Sequence, residues 1–263
     1  MDDTPNIDFF QLLLGCARCG DFAGVASLLG QKADPTHQAT QALREAAENG
    51  HAECVKLLIP ASDPKDNDSL ALRLAARFGH AECLKLLIPA SDPKAQASKA
   101  LCEAAAHGHA ECVRLLIPVS NPKDNDSRPL RAAAADGHAE CVRLLIPVTD
   151  PMADEAHAFR QAAGRGQVEC AKLLISLSGP FLHNEKALAA VFDSDSTEIL
   201  SLMLEAEPLL LSGGVLDSTL FYANSMRRPN LAAFLSSIVE REALAANLSL
   251  PESCRTPAPP RRL

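Results

Sequence analysis

From Gln41 onward, apolar and polar positions recur at a fixed step of 29 residues. The copies read "QALREAAENGHAECVKLLIPASDPKDNDS", "LALRLAARFGHAECLKLLIPASDPKAQAS", "KALCEAAAHGHAECVRLLIPVSNPKDNDS", "RPLRAAAADGHAECVRLLIPVTDPMADEA" and "HAFRQAAGRGQVECAKLLISLSGPFLHNE". Each holds two short helical patterns around a Gly-His break. In the first, Ala71, Leu72, Ala75 and Ala76 occupy one helix face. In the second, Ala81, Cys83, Leu84, Leu86 and Leu87 do the same, leaving Glu82 and Lys85 outside. Gly79 accepts positive φ and ends the first helix, whereas Pro89 and then Asp92-Pro93 stop the second. Neither helix is long enough to stand alone in water. Stacked side by side, the copies bury one continuous core, so the pattern predicts an all-α solenoid of about seven to eight helix-turn-helix repeats. "CARCGDFAGVASLL" (16–29) reads as a divergent first copy. "KALAAVFDSDSTEILSLMLE" (186–205) keeps the phase without Gly-His, and a weaker copy runs from about Val215 to Glu240.

The segment "AAxxGHxEcVKLL", repeated over residues 41–175, resembles the ankyrin repeat. Four near-verbatim copies make the match specific. The family norm is about 33 residues with a Thr-Pro-Leu-His opening. Here "SLALR" or "SKALC" stands in its place, and the shortfall lies after "SDPK". The projecting β-hairpin finger is therefore expected to shrink to a tight loop. Short alanine-rich arrays of this kind look like those of bacterial proteins, including effectors delivered into host cells. The domain reading is a divergent N-terminal capping repeat (1–40), five regular repeats (41–185) and degenerate repeats with a C-terminal helical cap (186–250). A Pro-rich basic tail (251–263), expected to be disordered, completes it.

The recurring Gly-His-x-Glu-Cys poses a choice between metal ligands and packing positions. Zinc draws four ligands to about 2.3 Å from one ion. Neighbouring helices stand roughly 8–10 Å apart, so His51/Cys54 and His80/Cys83 do not converge. The motif is read as scaffold, with Cys in a core slot and His capping or bridging the turn. Cys16 and Cys19 form a C-x-x-C without a second pair at ligand spacing, and Cys19 is expected to be the more reactive thiol. No G-x-S-x-G, P-loop or G-x-G-x-x-G is present. No catalytic residue, cofactor or metal is expected.

Composition narrows the class further. The 263-residue chain carries a formal charge of −8, a poor match to phosphate backbones. No basic n-region precedes an apolar run, and no stretch reaches the ~20 apolar residues of a membrane span. Nine cysteines, five at one repeat position, do not suggest a disulfide framework, so a reducing cytosol is expected. Close helix packing suits a chain rich in Ala with no Trp and one Tyr.

Positions that vary between copies are those the fold releases. In the first helix these columns are Gln41/Leu70/Lys99/Arg128/His157, Glu45/Leu74/Glu103/Ala132/Gln161, Glu48/Arg77/Ala106/Ala135/Gly164 and Asn49/Phe78/His107/Asp136/Arg165. Offsets of 0, +4, +7 and +8 share one helix face. The ankyrin resemblance makes that face the concave groove and implies a protein partner. The expected partner-binding residues are Glu45, Leu74, Arg77, Phe78, Glu103, His107, Asp136, Gln161 and Arg165. Leu74, Arg77 and Phe78 form an apolar-plus-Arg patch of the kind that dominates interfaces. Asp63, Asp66, Asp68, Asp124, Asp126, Asp150, Asp154 and Glu155 line one loop edge, either steering a basic partner or serving as turn residues. The reading is a non-catalytic, monomeric protein-binding scaffold with no nucleic-acid or membrane partner. The alternatives are an effector that sequesters a host protein and a regulatory subunit of an enzyme whose chemistry lies in 206–263 or in its partner.

Overall fold

The computed structural model describes residues 9–31, 36–179, 182, 185–211 and 215–249. The tail at 251–263 and the first eight residues lie outside them. Sixteen α-helices are paired along the described chain. The first four pairs are α1 (Phe9–Cys19) with α2 (Phe22–Leu29), α3 (Thr36–Asn49) with α4 (Ala52–Leu58), α5 (Asp66–Phe78) with α6 (Ala81–Leu87), and α7 (Ala95–Ala106) with α8 (Ala110–Leu116). The next four are α9 (Asp124–Ala135) with α10 (Ala139–Leu145), α11 (Ala153–Gly164) with α12 (Val168–Ile175), α13 (Glu185–Ser194) with α14 (Thr197–Ala206), and α15 (Val215–Ser225) with α16 (Pro229–Ser249). The first helices form one layer, each resting on the next from α1 to α13, and the second helices form the other, from α2 to α14. The predicted all-α repeat solenoid, with about eight helix pairs, is the observed fold.

Small residues let the layers approach closely. Ala42, Ala46, Ala47, Ala71, Ala75, Ala76, Ala104, Ala105, Ala133 and Ala134 are buried between first helices. Leu43, Leu72, Leu101, Leu130 and Phe159 fill one row of the core and Leu58, Leu87, Leu116, Leu145 and Leu174 another. The motif cysteines Cys54, Cys83, Cys112, Cys141 and Cys170 are buried beside them, as the packing reading requires.

The motif histidine does more than bridge its own turn. It cannot cap its own helix, for none of these residues makes a side-chain cap bond there. Instead each ring reaches back one repeat. His51 Nε2 lies 2.9 Å from the Arg18 carbonyl oxygen, His80 2.9 Å from Glu48, His109 2.9 Å from Arg77 and His138 3.0 Å from Ala106. A carbonyl only accepts, so Nε2 carries the proton. The ring then lies flat over the preceding glycine. A methyl built on Gly50, Gly79 or Gly108 would sit 2.5 Å from Nδ1 of His80, His109 or His138. These glycines also have φ between +77° and +80°. Glycine is thus required twice over, once by the backbone and once by the neighbour's ring. In the fifth copy Gln167 fills the same place over Gly137.

The prolines after the second helices sit inside short 3-10 turns at Ile59–Ala61, Ile117–Val119 and Ile146–Val148. The missing N–H donor falls in the first positions of the 3-10 turn, where no bond within the turn requires it, so the chain makes one tighter turn before it stops. The shortened loop then turns through left-handed residues: Asn67, Asp68 and Ser69 have φ of 51°, 56° and 58°, and Asn125, Asp126 and Ser127 repeat the pattern. Asn and Asp tolerate that region best among L-residues. The buried hydroxyls of Thr40, Ser69, Ser98 and Ser127 accept from the backbone N–H of Asp63, Asp92, Asn121 and Asp150 at 2.8–2.9 Å. Each pair is thereby closed on itself without a finger.

Beyond α14 the rule changes. Asp195, at the glycine position with φ 52°, accepts from the N–H of Leu231 at 3.1 Å and from Asn230 Nδ2 at 2.9 Å, fastening the start of α16. Phe192 and Tyr222 meet edge to face at 5.2 Å. Phe221 remains 76 % exposed, so the last pair presents apolar as well as polar surface. No helix among the described residues is long and apolar enough to cross a membrane.

Two outcomes follow from the histidine contact. His138→Ala is expected to destabilise the fold by about 1–2 kcal/mol through the lost bond and packing. Gly108→Ala should cost more, because left-handed φ alone costs an L-residue about 1–2 kcal/mol and the methyl meets His138; urea denaturation midpoints compare the two. Burial, and then the neighbouring His107, His138 and His80, hold His109 below its ordinary value near 6.5. The unfolded chain therefore takes up that proton first, and the His109 contribution is present above pH 6.5 and lost as pH falls below it. A pH series of melting curves should show wild type losing stability across that window more steeply than His109→Gln, which copies the natural Gln167.

Candidate functional site

With one face of each first helix committed to the core, the opposite face is free to vary. Leu74 is half-buried, Arg77 is exposed and Phe78 is 44 % exposed, all on α5. Their spacing places them on one stripe. The Arg77 guanidinium carbon stands 5.8 Å from the centre of the Phe78 ring, so the cation and ring stiffen one another. Arg77 and Phe78 are therefore brought together, with Leu74 on the same stripe one turn before.

The other expected residues lie on the same face but are held in polar contacts within or between pairs. Glu45 meets Arg18 of the preceding pair at 3.0 Å, and Asp136 meets Arg165 of the following pair at 2.5 Å. His107 Nδ1 is 2.9 Å from the Glu103 carbonyl oxygen and 4.0 Å from the Glu103 carboxylate. Gln161 Nε2 donates to His157 Nε2 at 2.8 Å, while His157 Nδ1 donates to Asp154 at 2.6 Å. That hydrogen bond, with Arg160 and Arg131 nearby, holds the Asp154 carboxyl below its ordinary value. Glu45, Asp136 and Arg165 thus contribute no uncompensated charge to the face. A depression of about 560 Å³ lies farther along, lined by His157, Arg160, Gln161, Arg165, Lys186 and Asp193 among others.

The acidic loop edge is built as turns. Asp63, Asp92 and Asp150 each accept at 3.0 Å from the N–H two residues on. Asp66 pairs with Arg44, and Glu155 accepts from Lys186 at 2.6 Å. The contacts give Asp63 and Asp150 the turn role, while Asp66, Asp154 and Glu155 are held by cations of this chain.

Burial pushes the thiols of Cys83, Cys112, Cys141 and Cys170 up to about 11, so they remain protonated at neutral pH. Cys102, in the first helix of the fourth pair, is raised to about 11 for the same reason. Cys16 is raised by burial and by Asp21, whose carboxylate lies 3.7 Å from the sulfur. Cys19 is exposed. Among the described residues, no three His, Cys, Asp or Glu side chains cluster as a metal site would require. The motif imidazoles are turned to backbone carbonyls while the motif thiols face the core.

Two features of this surface were not singled out from the sequence. Arg73, in an almost constant Arg column, has its Nε buried without a hydrogen-bond partner. The first variable column becomes cationic from Lys99 through Arg128 to His157, and Lys186 extends it by one more step. That second signal was legible at the repeat spacing; the first needed the neighbouring loop.

The geometry defines a helical-repeat solenoid of two helix layers. The sequence pattern of ankyrin repeats, in three copies, matches residues 13–97 and 91–155, over half of the chain. The chain belongs to the ankyrin-repeat family. The human ASB11 ankyrin repeat domain has a similar structure, with a TM-score of 0.59 and 22% identity, covering 73% of this chain and 96% of that one. The ankyrin repeat domain of Bcl-3, a member of the IkappaB protein family, is similar with a TM-score of 0.55 and 22% identity, covering 73% and 97%. At such identity the likeness is one of fold. No curated protein matches the chain in sequence.

Thiol labelling followed by peptide mapping tests the cysteine environments. Cys19 is expected to react first in the folded protein, with Cys83, Cys112, Cys141 and Cys170 protected until denaturant is added. Labelling of those four at the Cys19 rate would contradict their burial.

Proposed function

We propose that this protein is a non-catalytic scaffold that binds a partner protein across its first-helix face as a monomer. Ankyrin repeat domains usually mediate protein–protein interaction, which supports the general class. The observation that carries the particular surface is the stripe of Leu74, Arg77 and Phe78. A large ring is 44 % exposed at a position where the other repeats place Asn49, His107, Asp136 and Arg165. Neither the core nor the repeat contact needs it there. Rigid stacked helices present such a surface with little ordering cost on binding. In this reading the regular repeats over 41–185 carry the face, residues 1–40 and 186–250 close its ends, and the repeat thiols are core residues suited to a reducing cytosol.

Affinity capture by wild type beside Leu74→Glu/Phe78→Ala tests the reading. A partner retained only by wild type is expected, with the two melting temperatures nearly equal because both side chains lie outside the core. Equal retention by both proteins would remove the stripe from the binding surface.

A further inference from the structure

The repeats themselves show what an arginine in the +3 column engages. Arg44 pairs with Asp66 at the start of the following first helix. Arg131 lies 3.9 Å from Asp154 and 3.4 Å from His157 of the following helix, whereas Arg160 lies 3.7 Å from Asp154 and 3.6 Å from Glu155 of its own helix. Arg73 belongs to the same column, but the helix that follows it lacks both acids. Ala95 stands where Asp66 would be, and Gln96 stands where Asp154 would be. Gln96 donates at 2.5 Å to Asp68, which stands on the helix of Arg73 at the position of Glu155 but makes no ion pair with Arg73 among the described residues. The Arg73 Nε is left buried with no acceptor. At the column position that His157 occupies beside Arg131, the following helix offers Arg73 a second cation, Lys99. Neither Lys99 nor its counterpart Arg128 one repeat later has an ion-pair partner among the described residues. Glu103, one turn from Lys99, is nearer to His107.

On this stretch of the face Arg73, Arg77 and Lys99 outnumber Asp68 and Glu103, so its charge is net positive although the chain as a whole carries −8. Beside it, Leu74 follows Arg73 directly, and Arg77 with Phe78 lies one turn along at roughly 6 Å. We infer that the junction of α5 and α7 binds an acidic peptide segment of the partner. One of the segment's Asp or Glu carboxylates takes the place between Arg73 and Lys99 that Asp154 takes between Arg131 and His157. An apolar side chain of the same segment lies on Leu74 and Phe78. A planar guanidinium receives a carboxylate through paired N–H donors, which gives the site its preference for peptide acid over a lone cation or an apolar ligand. The inference rests on the first-helix face being the binding surface.

The test uses the full chain and a fluorescein-labelled peptide of Glu, Asp, Leu and Phe, with a second peptide in which Lys replaces every acid. Anisotropy should show the acidic peptide bound, the lysine peptide not bound, and affinity falling as salt is raised. Ala95→Asp restores the missing internal carboxylate. It is expected to raise the melting temperature while weakening the acidic peptide by about tenfold, near the loss of one charge-assisted bond. Lys99→Glu should weaken it likewise. Equal binding of both peptides, displacement of the acidic peptide by equimolar inorganic phosphate, or unchanged affinity in Ala95→Asp and Lys99→Glu would overturn the inference. The partner-capture experiment keeps the two readings apart. If Leu74→Glu/Phe78→Ala loses the partner and Ala95→Asp keeps it, the face stands and the anion site falls. If the acidic peptide is lost from Ala95→Asp while Leu74→Glu/Phe78→Ala retains every partner, the anion site stands and the apolar stripe falls.

Discussion

A histidine ring laid over the glycine of the preceding repeat is the contact on which this array depends. It joins two demands at one place. The first helix must end, which it does with a left-handed residue, and its last carbonyls must find donors although no further turn follows. The imidazole of the next repeat supplies one such donor, at 2.9–3.0 Å in all four intact copies. Its flat face needs the hydrogen surface of glycine beneath it. Each repeat is thus registered against its neighbour by a directional bond in addition to apolar packing. The contact runs one way along the chain, and its changes mark the C-terminal end. Gln167 replaces the ring over Gly137, and by Asp195 the glycine itself has gone and a carboxylate caps the start of α16 instead.

The second constraint is the loop. Removing the finger brings the end of one pair close to the start of the next, and the chain reverses through successive left-handed residues. That backbone is costly for L-residues. Asn and Asp ease it, and the buried serine hydroxyl offsets part of it by accepting a backbone N–H that would otherwise lie unsatisfied. The acidic edge takes its character from this geometry. Its carboxylates bind backbone N–H groups or neighbouring arginines, so much of the negative charge of the chain is fixed in structural contacts.

With ends and edges secured this way, the outer stripe of the first helices is released from the core, and its charge becomes informative. Glu45, Asp136 and Arg165 cancel in pairs across the repeats, whereas Arg73 and Lys99 have no ion-pair partner among the described residues. The helix whose first two positions, Ala95 and Gln96, carry no acid directly follows the helix that carries Leu74 and Phe78. An apolar stripe and two cations without ion-pair partners among the described residues meet at one junction of this face.

The sequence alone determined the architecture, because a helix pair repeated at constant spacing has one economical way to bury its apolar side. It also placed the motif cysteines in the core and the variable columns on a shared face, since those depend on helical periodicity alone. The family resemblance drawn from "AAxxGHxEcVKLL" holds for the same reason. The partner of each motif histidine could not be read from the sequence, because the ring passes over its own turn to a carbonyl about 32 residues earlier. Nor did periodicity reveal that Glu45 and Asp136 are already paired, or that Arg73 is not. Those facts depend on which side chain of one repeat meets which loop residue of the next. Only the stacking of the helices decides that, because a charge is satisfied by what lies a few ångströms away in space.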